Sequence, residues 1–403
     1  MNSFYKASLL ILIIAFTYSC AKTNKQDISK YQSISDSIKK SYAPDKRVAI
    51  YDINLNSNQN KIILKGESDQ PKAVEVLKSE IIASGVQIID SINILPDASV
   101  GDTKYAVVNN SVANIRSQNR HSGELATQAI LGTGVKVLKI AGDFYLIQTP
   151  DAYISWVDHG GVTLMNSEIY LNWTNAPKVI YTNTSGYTYQ ENNIKSSRLS
   201  DIVLGAQLKF LAEDANFYQV EYPDKRIGFI KKTESELFSK WITNVKPNGD
   251  LVETYAREFL GAPYLWGGTS TKGMDCSGFT KTVYLMNGFI IPRDASQQIN
   301  AGLNVDPELK FENLKKGDLM FFGKKATDST KQRTTHVGIW LGNGKGDFIH
   351  EASQVRLSSI KPGSEYYDKH NTNRYLGSRR YLGVKDKMIT DLKTDKILTE
   401  IKQ

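Results

Sequence analysis

Leu131-Gly132, Phe144-Tyr145 and Pro150-Asp151 recur without a gap, 73 residues later, as Leu204-Gly205, Phe217-Tyr218 and Pro223-Asp224. Lys136, Leu138 and Ile154 return as Lys209, Leu211 and Ile227, and Trp156-Val157 returns as Phe229-Ile230. Such a repeat restricts the fold, because a segment recurring at fixed spacing must form the same unit twice. Each copy alternates apolar and polar residues at the period of a strand, with turns at Ala141-Gly142-Asp143 and Glu213-Asp214-Ala215. Short strands punctuated this closely suit a small barrel rather than helices.

The repeat leaves two further regions to fold in a chain of 403 residues, enough for two to four domains. Before it, alternation over Val48 to Leu55 and Lys61 to Leu64 predicts strands. Helical spacing of Val74, Leu77 and Ile81 predicts a helix over 71–84, and Val86 to Leu95 a third strand. Residues 44–98 therefore read as a small α+β module whose best assignment is a spacer. Residues 21–43, rich in Lys, Ser, Asp and Gln, read as a tether or a loosely held helix. After the repeat, Lys246-Pro247-Asn248-Gly249-Asp250 marks a boundary. A helix over Leu251 to Leu260 follows, then a helix from Cys276, then strands at Leu319 to Phe322, His336 to Leu341 and Asp347 to Glu351. Helices first and an antiparallel sheet afterwards is an α+β layout. Residues 385–403 read as a C-terminal tail.

Met1 to Lys6 is short and basic, Ala7 to Phe16 is apolar, and Thr17-Tyr18-Ser19 leads into Cys20. This is the layout of a secretory signal over 1–20, too short to span a bilayer comfortably. A cysteine after a small residue resembles a bacterial lipoprotein processing site, which implies a lipid on Cys20 and an envelope location, with the membrane as partner. Thr17 departs from that pattern, which usually has a leucine there. The formal charge of +8 is scattered without a basic block, which disfavours nucleic acid as a partner. The chain has two cysteines, so a lipid on Cys20 leaves Cys276 without a disulfide partner. An exported chain with one unpaired thiol points to a thiol that reacts.

A thiol attacks as thiolate, and a helix N-terminus and a neighbouring imidazole both lower its pKa. Cys276 heads a predicted helix. His336 opens an apolar strand, where a titratable side chain is costly unless it has a task. The turn signal Asn343-Gly344-Lys345-Gly346 puts His336 and His350 on neighbouring strands of a hairpin. His350 is then within reach to fix the tautomer of His336. No His/Cys cluster has the spacing of a zinc site, and the chemistry requires no metal or cofactor.

The small turn, Phe-Tyr, strand, aromatic, Val/Ile pattern of the repeat resembles bacterial SH3-like modules, here over 104–167 and 168–243. Over 247–384 the chain resembles the NlpC/p60 cysteine peptidases. The resemblance rests on Tyr264-Leu265-Trp266-Gly267-Gly268, Asp275-Cys276-Ser277-Gly278-Phe279, Pro292-Arg293-Asp294, Lys316-Gly317-Asp318-Leu319 and His336-Val337-Gly338-Ile339. It implies a papain-like catalytic domain preceded by two SH3-like β-barrels and the α+β module. It also implies Cys276 as nucleophile, His336 as general base, His350 as orienting residue and Tyr264 beside the oxyanion.

Peptidases of this kind usually cleave between γ-D-glutamate and a diamino acid in peptidoglycan stem peptides. The complete layout resembles γ-D-glutamyl-L-diamino acid endopeptidases that require a free N-terminal L-Ala. By that resemblance Asp294, Glu124 and Tyr153 would hold the substrate ammonium, and Ser277 would donate to the D-Glu α-carboxylate. Ala295 stands where a serine often assists. The rival readings are a lytic or division hydrolase of intact crosslinked wall, and a non-catalytic wall-binding lipoprotein.

Overall fold

The computed structural model describes residues 28–58 and 61–395. The expected signal segment over 1–20, with Cys20, lies outside the described residues. In the N-terminal unit, Tyr51–Asn58, Lys61–Ser68 and Gln87–Ile94 form a three-stranded sheet in that order, the first pair antiparallel and the second parallel. The parallel pair requires a crossover, supplied by the helix Pro71–Ala83. That helix buries Ala73, Val74, Leu77 and Ile81, the stripe visible in the sequence.

Of the two readings of residues 21–43, tether or loosely held helix, the structure has a helix over Ser29–Tyr42, and it is packed rather than loose. Tyr31, Ser35 and Ile38 on one face are buried against the module. Two apolar side chains in a polar segment carry this packing, so composition concealed it. The tail reading is corrected. Thr390–Asp391 pairs with Phe289–Ile290, and Ile389 is buried in the C-terminal core.

Each copy of the repeat forms one seven-stranded antiparallel sheet. In the first, the spatial order is Val162–Met165, Tyr105–Val108, Gly134–Ala141, Phe144–Gln148, Ile154–Asp158, Val112–Arg116 and Leu125–Ile130. The second repeats this order from Ser235–Leu237 to Arg198–Val203. The copies are not independent beads. Tyr105, Val107, Leu131 and Met165 of the first share a core with Tyr170, Trp173, Val179, Leu208 and Val220 of the second.

The C-terminal unit sets the helix Cys276–Leu285 against a six-stranded sheet. The sheet order is Leu303–Asn304, Tyr375–Arg380, Leu319–Lys324, Arg333–Trp340, Asp347–Ala352 and Gln354–Ser359. Phe279 and Val283 of the helix pack with Val337, Ile339 and Ile349 of the sheet. Among the described residues no helix is long and apolar enough to cross a membrane.

Candidate active site

The Cys276–Leu285 helix starts at Cys276 because Asp275 caps it, accepting the Gly278 N–H at 2.7 Å. Gly278 is glycine for a steric reason. A Cβ there would lie 2.0 Å from the carbonyl oxygen of Gly268. The Tyr-Leu-Trp-Gly-Gly and Asp-Cys-Ser-Gly motifs are thus two backbones pressed together. Gly267, at φ +77°, makes a similar approach to the Leu125 carbonyl of the first repeat copy.

His336 and His350 lie on adjacent antiparallel strands in which Gly338 faces His350, so the two histidines are diagonal neighbours on one face. His336 Nε2 and His350 Nδ1 are 2.7 Å apart. His350 is fully buried, and its Nε2 lies 3.0 Å from Ser358 Oγ and 4.0 Å from Asp368 Oδ2. Next to His336, the Val337 N–H donates to the Cys276 sulfur, as does the Ser277 N–H. The hairpin therefore brings the histidine pair to the head of the cysteine helix. Ser358 and Asp368 gave no signal in the sequence, because each reaches His350 only through strand pairing and the loop after it.

The electrostatics correct one expectation. The helix N-terminus and imidazole were reasons to expect a low thiol pKa. Burial and the Asp275 charge instead push the Cys276 thiol up to about 12, against the pull of the Val337 N–H, Arg293 and the Ser277 N–H. Burial, then His350 and Arg374, hold half-buried His336 well below the ordinary imidazole value, and burial takes His350 down to about 4. These shifts favour a proton on sulfur and neutral rings on both histidines. Tyr264 is half-exposed. Burial, then the Cys276 and Asp275 charges, raises its hydroxyl well above the ordinary tyrosine value, which places it in the electrostatic reach of the sulfur.

Arg293, to which the sequence reading gave no role, is the hub behind the nucleophile. It is 1% exposed. Its Nη1 and Nη2 reach Asp275 at 3.1 and 2.7 Å, Nη1 reaches Ser277 Oγ at 3.0 Å, and Nε donates to Thr127 Oγ1 of the first copy at 2.8 Å. The guanidinium offsets the Asp275 charge, which would otherwise sit unpaired beside the sulfur. This network alters the reading of Ser277. Its hydroxyl is buried and donates to Asp275 Oδ1 at 3.0 Å, so its proton is already engaged.

The first repeat copy forms one wall. Gln128 Oε1 accepts from Thr269 N at 2.9 Å and Ser270 Oγ at 3.1 Å, and Trp266 Nε1 donates to Glu124 Oε1 at 2.7 Å. Glu124 is exposed, and the partner its carboxylate has is Trp266. Tyr153, by contrast, is 8% exposed and hydrogen-bonds Asp294. Asp294, expected to hold the substrate ammonium, already has a cationic partner. Arg47, from the N-terminal unit, donates to Asp294 Oδ2 at 2.7 Å. No sequence pattern links residues 247 apart in this way. A cavity of about 570 Å³ lies elsewhere, lined by Tyr170, Trp173, Lys178 and Lys281 among others, without Cys276 or either histidine.

Residues 261–380 match the NlpC/P60 family, and residues 115–161 match the bacterial dipeptidyl-peptidase Sh3 domain. A γ-D-glutamyl-L-lysine dipeptidyl-peptidase of Bacillus cereus is 32% identical over 279 residues, covering 65% of this chain and 77% of that protein. The chain belongs to the NlpC/P60 family. It is a cysteine peptidase of that family, with an SH3-like domain ahead of the catalytic one. Dipeptidyl-peptidase 6 of Lysinibacillus sphaericus is 26% identical, over 68% of this chain and 98% of its own. A crystal structure of an NlpC/P60 family protein from Bacillus cereus superposes with a TM-score of 0.59 at 27% identity, over 69% of this chain and 99% of that one. An NlpC/P60 endopeptidase of Photobacterium damselae shares the fold over 90% of this chain and 84% of its own, with a TM-score of 0.51 at 14% identity.

Proposed function

We propose that this NlpC/P60 peptidase hydrolyses the γ-D-glutamyl–diamino acid bond of peptidoglycan stem peptides, in cell wall turnover or recycling. The observation that supports the reading is the hydrogen-bonded His336–His350 pair on the strand whose next residue, Val337, donates its N–H to the buried sulfur of Cys276. The γ-D-glutamyl-L-lysine dipeptidyl-peptidase activity by which the Bacillus cereus relative is named supports the bond class.

The chemistry follows from the resting protonation state. With His336 Nε2–H donating to His350 Nδ1, and His350 Nε2–H directed at Ser358 Oγ, His336 Nδ1 carries the free lone pair. It takes the thiol proton as sulfur attacks the γ-carbonyl carbon. The Asp368 carboxylate, 4.0 Å from His350, favours the positive charge that then arises on the imidazole pair. The Tyr264 hydroxyl and backbone N–H groups at the head of the helix stabilise the oxyanion. Collapse returns the proton to the leaving amine of the diamino acid and leaves an acyl-enzyme. Water, deprotonated by His336, adds to the thioester and releases the γ-glutamyl product and the free thiol.

The pocket of Asp294 and Tyr153, with Glu124 at its rim, takes the L-Ala nitrogen. Strict preference for a free N-terminal L-Ala would need an uncompensated carboxylate there, and Asp294 has Arg47 as its partner. We further assign Cys20 a lipid anchor that holds the enzyme in the bacterial envelope.

The test is turnover of L-Ala-γ-D-Glu-L-Lys and its diaminopimelate counterpart by the purified chain, with product release followed by mass spectrometry. Loss of turnover in Cys276→Ala at unchanged circular dichroism is the expected result. Turnover of neither peptide by the wild type would leave a wall-binding role in its place.

A further inference from the structure

Arg47 lies in the segment that leads into the first strand of the N-terminal unit, and its side chain ends on Asp294, the residue assigned above to the L-Ala nitrogen. Asp45 grips one edge of the guanidinium, accepting from Nε at 2.8 Å and from Nη2 at 2.7 Å. Gln297 Nε2, in the short helix after Asp294, holds Asp45 in turn at 2.9 Å. From the other edge, Nη1 donates to Asp294 Oδ2 at 2.7 Å and to Ser296 Oγ at 2.9 Å. The Arg47 carbonyl accepts the Ile154 N–H at 2.6 Å, next to Tyr153, which itself bonds Asp294. Backbone and guanidinium are both pinned, and the Arg47 and Asp294 side chains are only 32% and 26% exposed. The cation is a built part of the pocket.

We propose that Arg47 sets the N-terminal selectivity of this peptidase. By occupying Asp294, it lets the pocket accept stem peptides whose L-Ala nitrogen is acylated. The inference rests on the proposed function. A carboxylate left bare demands a cation, because covering it with a neutral acyl group removes its water and gives nothing back. With Arg47 present, Asp294 stays paired whether an amine or an amide arrives. An incoming ammonium would also compete with Arg47 for Oδ2, and Arg293 Nη1 stands 3.8 Å from Oδ1. A neutral amide meets no such repulsion, and its N–H or carbonyl can use Tyr153 or Ser296. The N-terminal unit, which the sequence left as a spacer, thereby acquires a task in recognition.

The experiment compares kcat/KM for the free tripeptide and its N-acetyl form, in wild type, Arg47→Met, Arg47→Lys and Arg47→Met/Asp294→Asn. The wild type is expected to cleave the two within about tenfold of each other, and Arg47→Met to favour the free amine by more than about a hundredfold. Arg47→Lys, which keeps the cation, should stay near the wild-type ratio. Asp294→Asn in the Met background should remove the new preference, which a mere collapse of the segment would not do. Equal ratios in wild type and Arg47→Met overturn the inference, as does a wild type that cleaves only the free peptide. Turnover of neither peptide by the wild type overturns the proposed function, and this inference with it.

Discussion

Replacing Arg293 with methionine keeps much of its volume while removing the charge that faces Asp275. Both side chains are nearly inaccessible, at 1% and 11% exposure, and the guanidinium makes two contacts to the carboxylate and one each to Ser277 and Thr127. Removing one partner of such a buried pair costs about 3–5 kcal/mol, because the other charge is stranded. The damage falls on the helix start, since Asp275 caps the turn that carries Cys276.

A pH signature separates this from loss of packing. In the wild type the Asp275 carboxyl is held below its ordinary value of 3.8, Arg293 and its hydrogen bonds outweighing burial. Its stabilising contribution is therefore present above pH 3.8 and is lost only as pH falls through the lower folded value. In Arg293→Met only the hydrogen bonds from Gly267, Ser277 and Gly278 are left to oppose burial, so the folded pKa should rise above 3.8 and the carboxyl take up a proton as the medium is acidified. The penalty should thus be largest at pH 7 and shrink towards pH 5. Asp275→Asn added to Arg293→Met should recover about half of it at pH 7. Urea unfolding at the two pH values, with hydrogen exchange at the Gly278 amide, provides the measurement. A loss under about 1 kcal/mol at pH 7, or an equal loss at both pH values, would refute the reasoning.

Three further outcomes follow from the site. His336 must be neutral to accept the thiol proton, and its pKa lies well below 6.5, so the acid limb of kcat/KM should fall below pH 6.5; a limb at or above that value contradicts the assignment. Tyr264→Phe should lower kcat by about 10- to 1000-fold with KM little changed, as for a lost oxyanion donor, and an unchanged kcat would return Tyr264 to a packing role. Glu351 is fully buried, its carboxylate oxygens have no hydrogen-bond partner, and burial with the Asp275 charge raises it to about 8 from 4.5. The folded state thus binds that proton more tightly, and stability declines as pH rises from 4.5 until the loss is complete above 8. Glu351→Gln should gain on the wild type in thermal midpoint between pH 5 and pH 9; a constant difference would show that Glu351 does not titrate there.

The sequence by itself determined what depends on local spacing and steric identity. The 73-residue repeat dictated two copies of one strand order, because each strand's alternation and each turn lie within the copy. The Asp-Cys-Ser-Gly run dictated a capped helix with sulfur at its head, and the Asn343–Gly346 turn dictated a hairpin that pairs the two histidines. Tertiary structure decided what depends on the meeting of distant surfaces. Burial decided that the thiol rests protonated, since desolvation is a property of the enclosing atoms and not of the neighbouring residues in the chain. Docking of the first repeat copy brought Thr127 to Arg293 and Glu124 to Trp266. Packing of the N-terminal unit carried Arg47 to Asp294, a pairing of opposite charges that no periodicity or motif encodes.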